Sequence, residues 1–185
     1  MQQKGVTMKK IIAASMAAVW VLPVLASDLE LEARQHMAGF AKNLKGALQQ
    51  GMQSDGVEGA IAACNEQAPE IAEAASADGW TVGRTSLKLR NSDNAPDDWE
   101  LSVLQSFEAR LAKGEPMAKL QASRTDKGTY RFMKAIPTGS LCLSCHGANI
   151  SDAVAARLDQ LYPQDQARGY AEGDIRGAFT LSKEL

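Results

Sequence analysis

Residues Thr129–His146 read TYRFMKAIPTGSLCLSCH. Tyr130, Phe132, Lys134 and Ile136 alternate with Arg131, Met133 and Ala135, the two-residue period of a strand with different chemistry on each face. Pro137-Thr138-Gly139 ends that strand and carries the chain into Cys142-Leu143-Ser144-Cys145-His146. Upstream, Met117 to Arg124 leads into Thr125-Asp126-Lys127-Gly128, so residues 117–136 are expected to form a β-hairpin. The pentapeptide is C-x-x-C-H in a chain with three cysteines and two histidines. Its spacing fits c-type haem attachment. Two thiols reach the two vinyl groups along one haem edge as thioethers, and the histidine lies under the iron. A redox dithiol would not need the histidine. A zinc site would want a second ligand pair, which the chain lacks. So few cysteines also argue against a disulfide-stapled fold. One covalently attached haem c is therefore expected, held by Cys142 and Cys145, with His146 as the proximal iron ligand.

The ends of the chain support this. Residues 1–26 read as a secretory signal peptide: Lys4, Lys9 and Lys10 supply positive charge, Ile11 to Leu25 is uncharged and apolar, and Val24-Leu25-Ala26 precedes Ser27. The apolar run contains Pro23 and is short of the ~20 residues a span needs, which disfavours an uncleaved anchor. No other segment could cross a membrane, so no membrane span is expected after cleavage. Residues 27–185 are expected to form a single haem domain. A periplasmic location agrees with haem attachment, which bacteria perform outside the cytoplasm. The net charge of −2 becomes −5 once three lysines and no acid are removed, leaving 17 basic and 22 acidic side chains. Such a balance argues against a nucleic-acid partner.

Residues 27–53 have helical spacing. Ser27 and Glu30 form a capping-box pair, and Met37, Phe40, Ala41, Leu44, Leu48 and Met52 line one face. His36 lies beside that stripe and is expected at the exposed surface. The cluster Ser54-Asp55-Gly56 ends this helix, and a second runs over 57–77. Val57, Ile61, Cys64, Ala68, Ile71 and Ala75 form its buried stripe, and Pro69 should kink or split it. Around Cys64, the small residues Ala60, Ala62, Ala63 and Ala68 would let a flat, bulky group approach. Composition alone reads Cys64 as a small core residue. Trp80 to Arg90 reads as a strand. Arg84, Lys88 and Arg90 share its face, or nearly so, and are candidate partners for haem propionates. The alternative for these three is a solvated sheet face. A third helix spans Asp97 to Lys113, with Leu101, Leu104, Phe107, Glu108 and Leu111 as its inner stripe, broken at Glu108. A short helix from Ser151 and Asp152 to Leu161 and a last strand from Arg176 to Ser182 complete the chain. Four helices and about four strands in mixed order imply an α+β fold with an antiparallel sheet.

Several longer stretches carry a family resemblance: Cys64 to Ala72, Val82 to Asn91, Asn94 to Glu100, Ile136 to Gly147, Tyr162-Pro163, and Gly169-Tyr170 through Gly173 to Ala178. On these the chain resembles exported, single-haem c-type proteins with a PAS-like sheet, found alone or as the sensory part of signalling proteins. The likeness covers about residues 57–182, departing at Ser92, where proline is expected. It implies a PAS-like antiparallel sheet with N-terminal helices and a covalently bound haem. It also implies that Cys64 binds the iron opposite His146. An anionic thiolate would stabilise ferric iron and lower the potential. Met37, Met52, Met117, Met133 and His36 are the other candidates for that position.

Three functions follow. The first is a periplasmic monohaem c-type cytochrome for redox or gas sensing, with Cys64 and His146 as axial ligands. The second is a simple electron-transfer cytochrome with methionine or another sixth ligand. The third is a small haem enzyme with an open iron site, though no catalytic constellation supports it. The expected partner is a redox protein or a membrane signalling protein, with a homodimer left open.

Overall fold

The structure is a computed structural model describing residues 22–185, with side chains from Ser27 onward. The expected signal peptide, residues 1–26, lies outside the residues whose side chains are described. Among the described residues, no helix is long and apolar enough to cross a membrane.

The element order is α1 (Leu22–Ala62), a π-helical turn (Ala63–Gln67), α2 (Ala68–Ala75), β1 (Trp80–Thr85), α3 (Asp98–Ala112), β2 (Gln121–Asp126), β3 (Thr129–Pro137), α4 (Leu143–His146), α5 (Asp152–Leu161) and β4 (Ile175–Glu184). The strands form one antiparallel sheet in the order β1-β4-β3-β2. The hairpin between β2 and β3 turns on Lys127 (φ 49°) and Gly128 (φ 83°), a two-residue turn with both centres left-handed.

The expected alternation along β3 sorts the core. Tyr130 and Phe132 point into a cluster with Ala33, Phe40, Trp80, Val82 and Leu181, packed under α1 and α2. Met133 and Ala135 point the opposite way, to Val103, Leu104 and Phe107 of α3. The sheet thus has helices on both faces. The inner stripe of α3 keeps the expected Leu104, Phe107 and Leu111 and gains Val103 and Glu100 in place of Leu101. Val103 is buried with Leu104 and Phe107, whereas Leu101 is 37% exposed and Glu108 is exposed. Glu100 is buried because it closes a capping box with Asp97, accepts from Thr180 Oγ1 and meets Arg131. β1 stops at Thr85, shorter than the expected strand to Arg90. Beyond it the Ser86 side chain holds the backbone of Lys88 and Arg176 instead of a ladder.

Two breaks shape the N-terminal helices. Asp55 and Gly56 leave helical geometry, Gly56 at φ 59° and ψ −141°, which suits a residue without Cβ. The two arms of α1 fold back so tightly that Gly51 and Gly59 touch backbone to backbone. A Cβ on Gly51 would lie 2.7 Å from the Gly59 carbonyl carbon. The second break is the π-turn. Pro69 has no N–H for the Asn65 carbonyl, and its ring would strike that oxygen. The chain widens by one residue, and Ala68 N–H bonds Ala63 O. Cys64 sits in that turn.

Candidate functional site

The site forms where three strand ends meet. β1 ends at Thr85, β3 ends at Pro137 and β4 starts at Ile175. Antiparallel pairing sets Thr85 opposite Ala178 and Pro137 opposite Ile175, at one end of the sheet. The motif follows β3 directly, as a 3-10 turn over Ser140–Cys142 and then α4.

The ladder slips at this end. Ile136 pairs with Gly177 but Pro137 with Ile175, which leaves Arg176 unpaired on β4. Pro137 has no N–H to continue the ladder, and the extra residue bulges. The bulge brings Arg176 to the motif histidine. Arg176 Nε lies 3.1 Å from His146 Nδ1 and 3.4 Å from Nε2. Its guanidinium also reaches Ser86 Oγ at 3.1 Å and lies 5.5 Å from the centre of the Tyr170 ring.

His146 Nδ1 lies 2.7 Å from Ala167 O. A carbonyl can only accept, so this shorter contact assigns the proton to Nδ1 and the lone pair to Nε2. That leaves Nε2, at 3.4 Å, as the ring atom able to accept from Arg176 Nε. A histidine that binds metal through Nε2 needs this tautomer. Burial, with Arg176 and Arg90 nearby, lowers the His146 pKa to about 3, so the ring is neutral near pH 7. Tyr170 N donates to His146 O at 2.9 Å, and Gly169 N donates to Gly147 O at 3.1 Å, fastening the motif to the segment before β4.

Arg90 binds the same segment. Its Nη2 donates to Cys145 O at 2.6 Å and to Ala167 O at 3.2 Å, and its Nε pairs with Asp165 Oδ1 at 3.1 Å. Lys88 lies nearer solvent, with Nζ 3.3 Å from Arg168 O and 4.8 Å from the Tyr170 ring centre. Arg84 is inside, 5.9 Å from the Phe40 ring centre, and burial lowers its pKa. Among the described residues, neither Arg84 nor Arg176 pairs with a carboxylate.

Cys64 comes to this place from the helical side. Ile61, one turn before it, is buried with Val154, Leu158 and Tyr162, and Cys145 packs on that cluster. The Cys64 thiol is pushed up by burial, while Arg84, Arg90 and Arg176 pull it down and Cys142 raises it. Cys145 is likewise pushed up by burial, lowered by Arg90 and raised by Cys64 and Cys142. All three cysteines are unpaired and half-buried. Residues nearly eighty apart in the chain therefore converge.

His36 and three of the four candidate methionines lie elsewhere. Met133 and Met117 belong to the α3 side of the sheet, and Met37 packs in the cluster under α1. His36 is half-buried rather than exposed: its Nδ1 is 3.2 Å from Ala75 O and its ring is 5.8 Å from that of Trp80. Residue spacing did not single out Arg176, Asp165 or Ala167. Arg176 depends on a bulge that follows from Pro137 in a different strand. Asp165 resembles any turn residue after Tyr162-Pro163.

The donor set fits a c-type haem. It has two thiols at C-x-x-C spacing, an imidazole with its Nε2 lone pair available, a third thiol nearby, and guanidinium groups without acids that can meet propionates. Metal binding at Nε2 would displace its contact with Arg176.

No curated protein matches the chain. The chain is similar to the crystal structure of the cyanobacterial heme-protein Tll0287, with a TM-score of 0.60 and 24% sequence identity over 88% of this chain and 96% of that one. That likeness concerns the fold, in which N-terminal helices pack on an antiparallel sheet. The Tll0287-like family model matches residues 2–183, and the chain belongs to the Tll0287-like family.

Proposed function

We propose that this chain is an exported monohaem c-type protein that senses redox state. Cys142 and Cys145 carry the haem as thioethers, His146 Nε2 binds the iron, and Cys64 is the opposite axial ligand. Arg84, Lys88 and Arg90 are the candidates to face the propionates, with Arg176 added to them; of the four, Arg90 is already paired with Asp165. A bound haem supplies a one-electron iron couple. The protein's part is to hold His146 as the Nδ1–H tautomer, to hold Cys64 in a helical turn that already departs from α geometry, and to shield both from water. The single observation that carries this reading is the convergence of Cys64 with the C-x-x-C-H motif under three arginines. Burial still holds the Cys64 thiol above its ordinary value, and the three cations offset part of that rise, as a thiolate bound to iron would need.

A methionine-ligated electron carrier is the competing function, but three of its four candidate methionines pack in the two core clusters away from Cys145. Residues 1–26 would act as the export signal, and the output would pass to a redox or membrane signalling partner.

The test is the ferric spectrum and reduction potential of protein made with c-haem maturation factors, compared with Cys64→Ala. A thiolate-type spectrum lost in the variant is expected, with a wild-type potential well below zero. An unchanged variant with a methionine–iron charge-transfer band refutes the sensor reading in favour of a carrier.

A further inference from the structure

We propose that the buried Arg90–Asp165 pair positions His146 and sets the reduction potential of the haem that His146 would bind. This rests on the haem reading above. Arg90 and Asp165 side chains are 10% and 1% exposed. Their contacts form a closed frame. Arg90 Nε donates to Asp165 Oδ1 at 3.1 Å, and Nη2 to Oδ2 at 3.2 Å. The same Nη2 reaches Cys145 O at 2.6 Å and Ala167 O at 3.2 Å. Asp165 Oδ1 accepts from Ala167 N at 2.9 Å, and Oδ2 from Arg168 Nε at 2.8 Å. The Ala167 peptide groups are thus fixed at both polar ends. Ala167 O is the acceptor of the His146 Nδ1 proton.

One guanidinium therefore touches a carbonyl of the attachment motif and the carbonyl that orients the ligand histidine. Stability is a poor reason to place such a pair here, because a buried ion pair gains little over apolar residues of the same volume. The charges have a clearer consequence. Hydrogen bonds to the far nitrogen tune how strongly a histidine donates to a metal. Arg90 draws electron density from Ala167 O, which weakens its pull on the Nδ1 proton and keeps His146 a neutral imidazole. The Arg90 cation also disfavours the more positive, ferric state. Both effects raise the potential. Asp165 acts against Arg90 through its negative charge.

The two residues therefore predict shifts of opposite sign. In haem-loaded protein, Arg90→Gln lowers the potential, Asp165→Asn raises it, and Arg90→Lys stays nearer to wild type than Arg90→Gln. Spectroelectrochemical titration reads all three. A purely structural clamp would weaken both variants alike and leave the potentials unmoved or shifted in one direction, and either result overturns the proposal. If Arg90→Gln yields no folded protein, Asp165→Asn and Arg90→Lys decide: an Asp165→Asn potential at or below wild type overturns it. Wild-type protein that carries no covalent haem overturns the haem reading itself, an outcome distinct from haem-loaded variants with same-sign shifts.

Discussion

Replacing Gly59 by alanine should destabilise the protein although it improves helix propensity. In a helix, Gly→Ala alone gains about 1 kcal/mol. Here the new Cβ would press on the Gly51 carbonyl oxygen and lie 3.0 Å from both its carbon and Asp55 Cβ. The first two are backbone atoms, which cannot swing aside, so the arms must part by a few tenths of an ångström to about 1 Å. Overpacking of this kind costs about 1–3 kcal/mol, and a rigid neighbour puts the cost near about 3 kcal/mol. The net loss is about 2 kcal/mol. With a urea m-value of about 2 kcal/mol/M, the unfolding midpoint falls by about 1 M. Gly46 in the same helix is the control, because a Cβ there meets nothing within 4 Å. Gly46→Ala should raise the midpoint by about 0.5 M at a gain of about 1 kcal/mol. Circular dichroism through a urea series measures both. A Gly59→Ala midpoint at or above wild type refutes the reasoning. The close contact matters to the site because the second arm, which carries Gly59, runs directly into the π-turn that holds Cys64.

In the haem-free chain, burial keeps the folded His146 pKa at about 3 while the unfolded histidine titrates near ~6.5. A depressed histidine gives its stability above the unfolded value, so stability falls as pH drops from about 6.5 toward 3; a pH series of urea midpoints reads the slope, and His146→Gln should flatten it. Arg131→Ala should cost about 1–3 kcal/mol by leaving buried Glu100 without its guanidinium, which lies 3.1 Å away, while Asp97 loses a contact at 2.7 Å; a thermal melt measures it. Cys142→Ser with Cys145→Ser should remove haem that otherwise stays on the chain in a denaturing gel. Haem retained by the double variant would defeat the thioether assignment.

Much of the architecture was legible in local chemistry. The period of β3 told which residues face α1 and which face α3, and Ser54-Asp55-Gly56 located the turn between the first two helices. Pro69 foretold a break, though not that it would take the form of a π-turn around Cys64. The errors share one cause, because they depend on partners distant in the chain. Glu100 was left out of the α3 stripe because its burial comes from Arg131 and Thr180 of other strands. The strand from Trp80 ended early because the side chain of Ser86, not a ladder, takes up its backbone. Of the site, the motif and Cys64 were visible as residues, but their meeting was not readable from spacing. Arg90 looked like a cation for a propionate. Its bonds to Cys145 O and Ala167 O require a fold that brings residue 165 beside residue 90.

The position of β4 in the sheet has a temporal consequence. It lies between β1 and β3, yet it follows the motif in the chain. A chain emerging N-terminus first therefore presents Cys142 and Cys145 while the central strand is still missing. Until β4 arrives, β1 and β3 have no common neighbour, and Arg176 is not beside His146. Access to the thiols thus precedes closure of the sheet, so a modifying enzyme would meet them before folding shelters them.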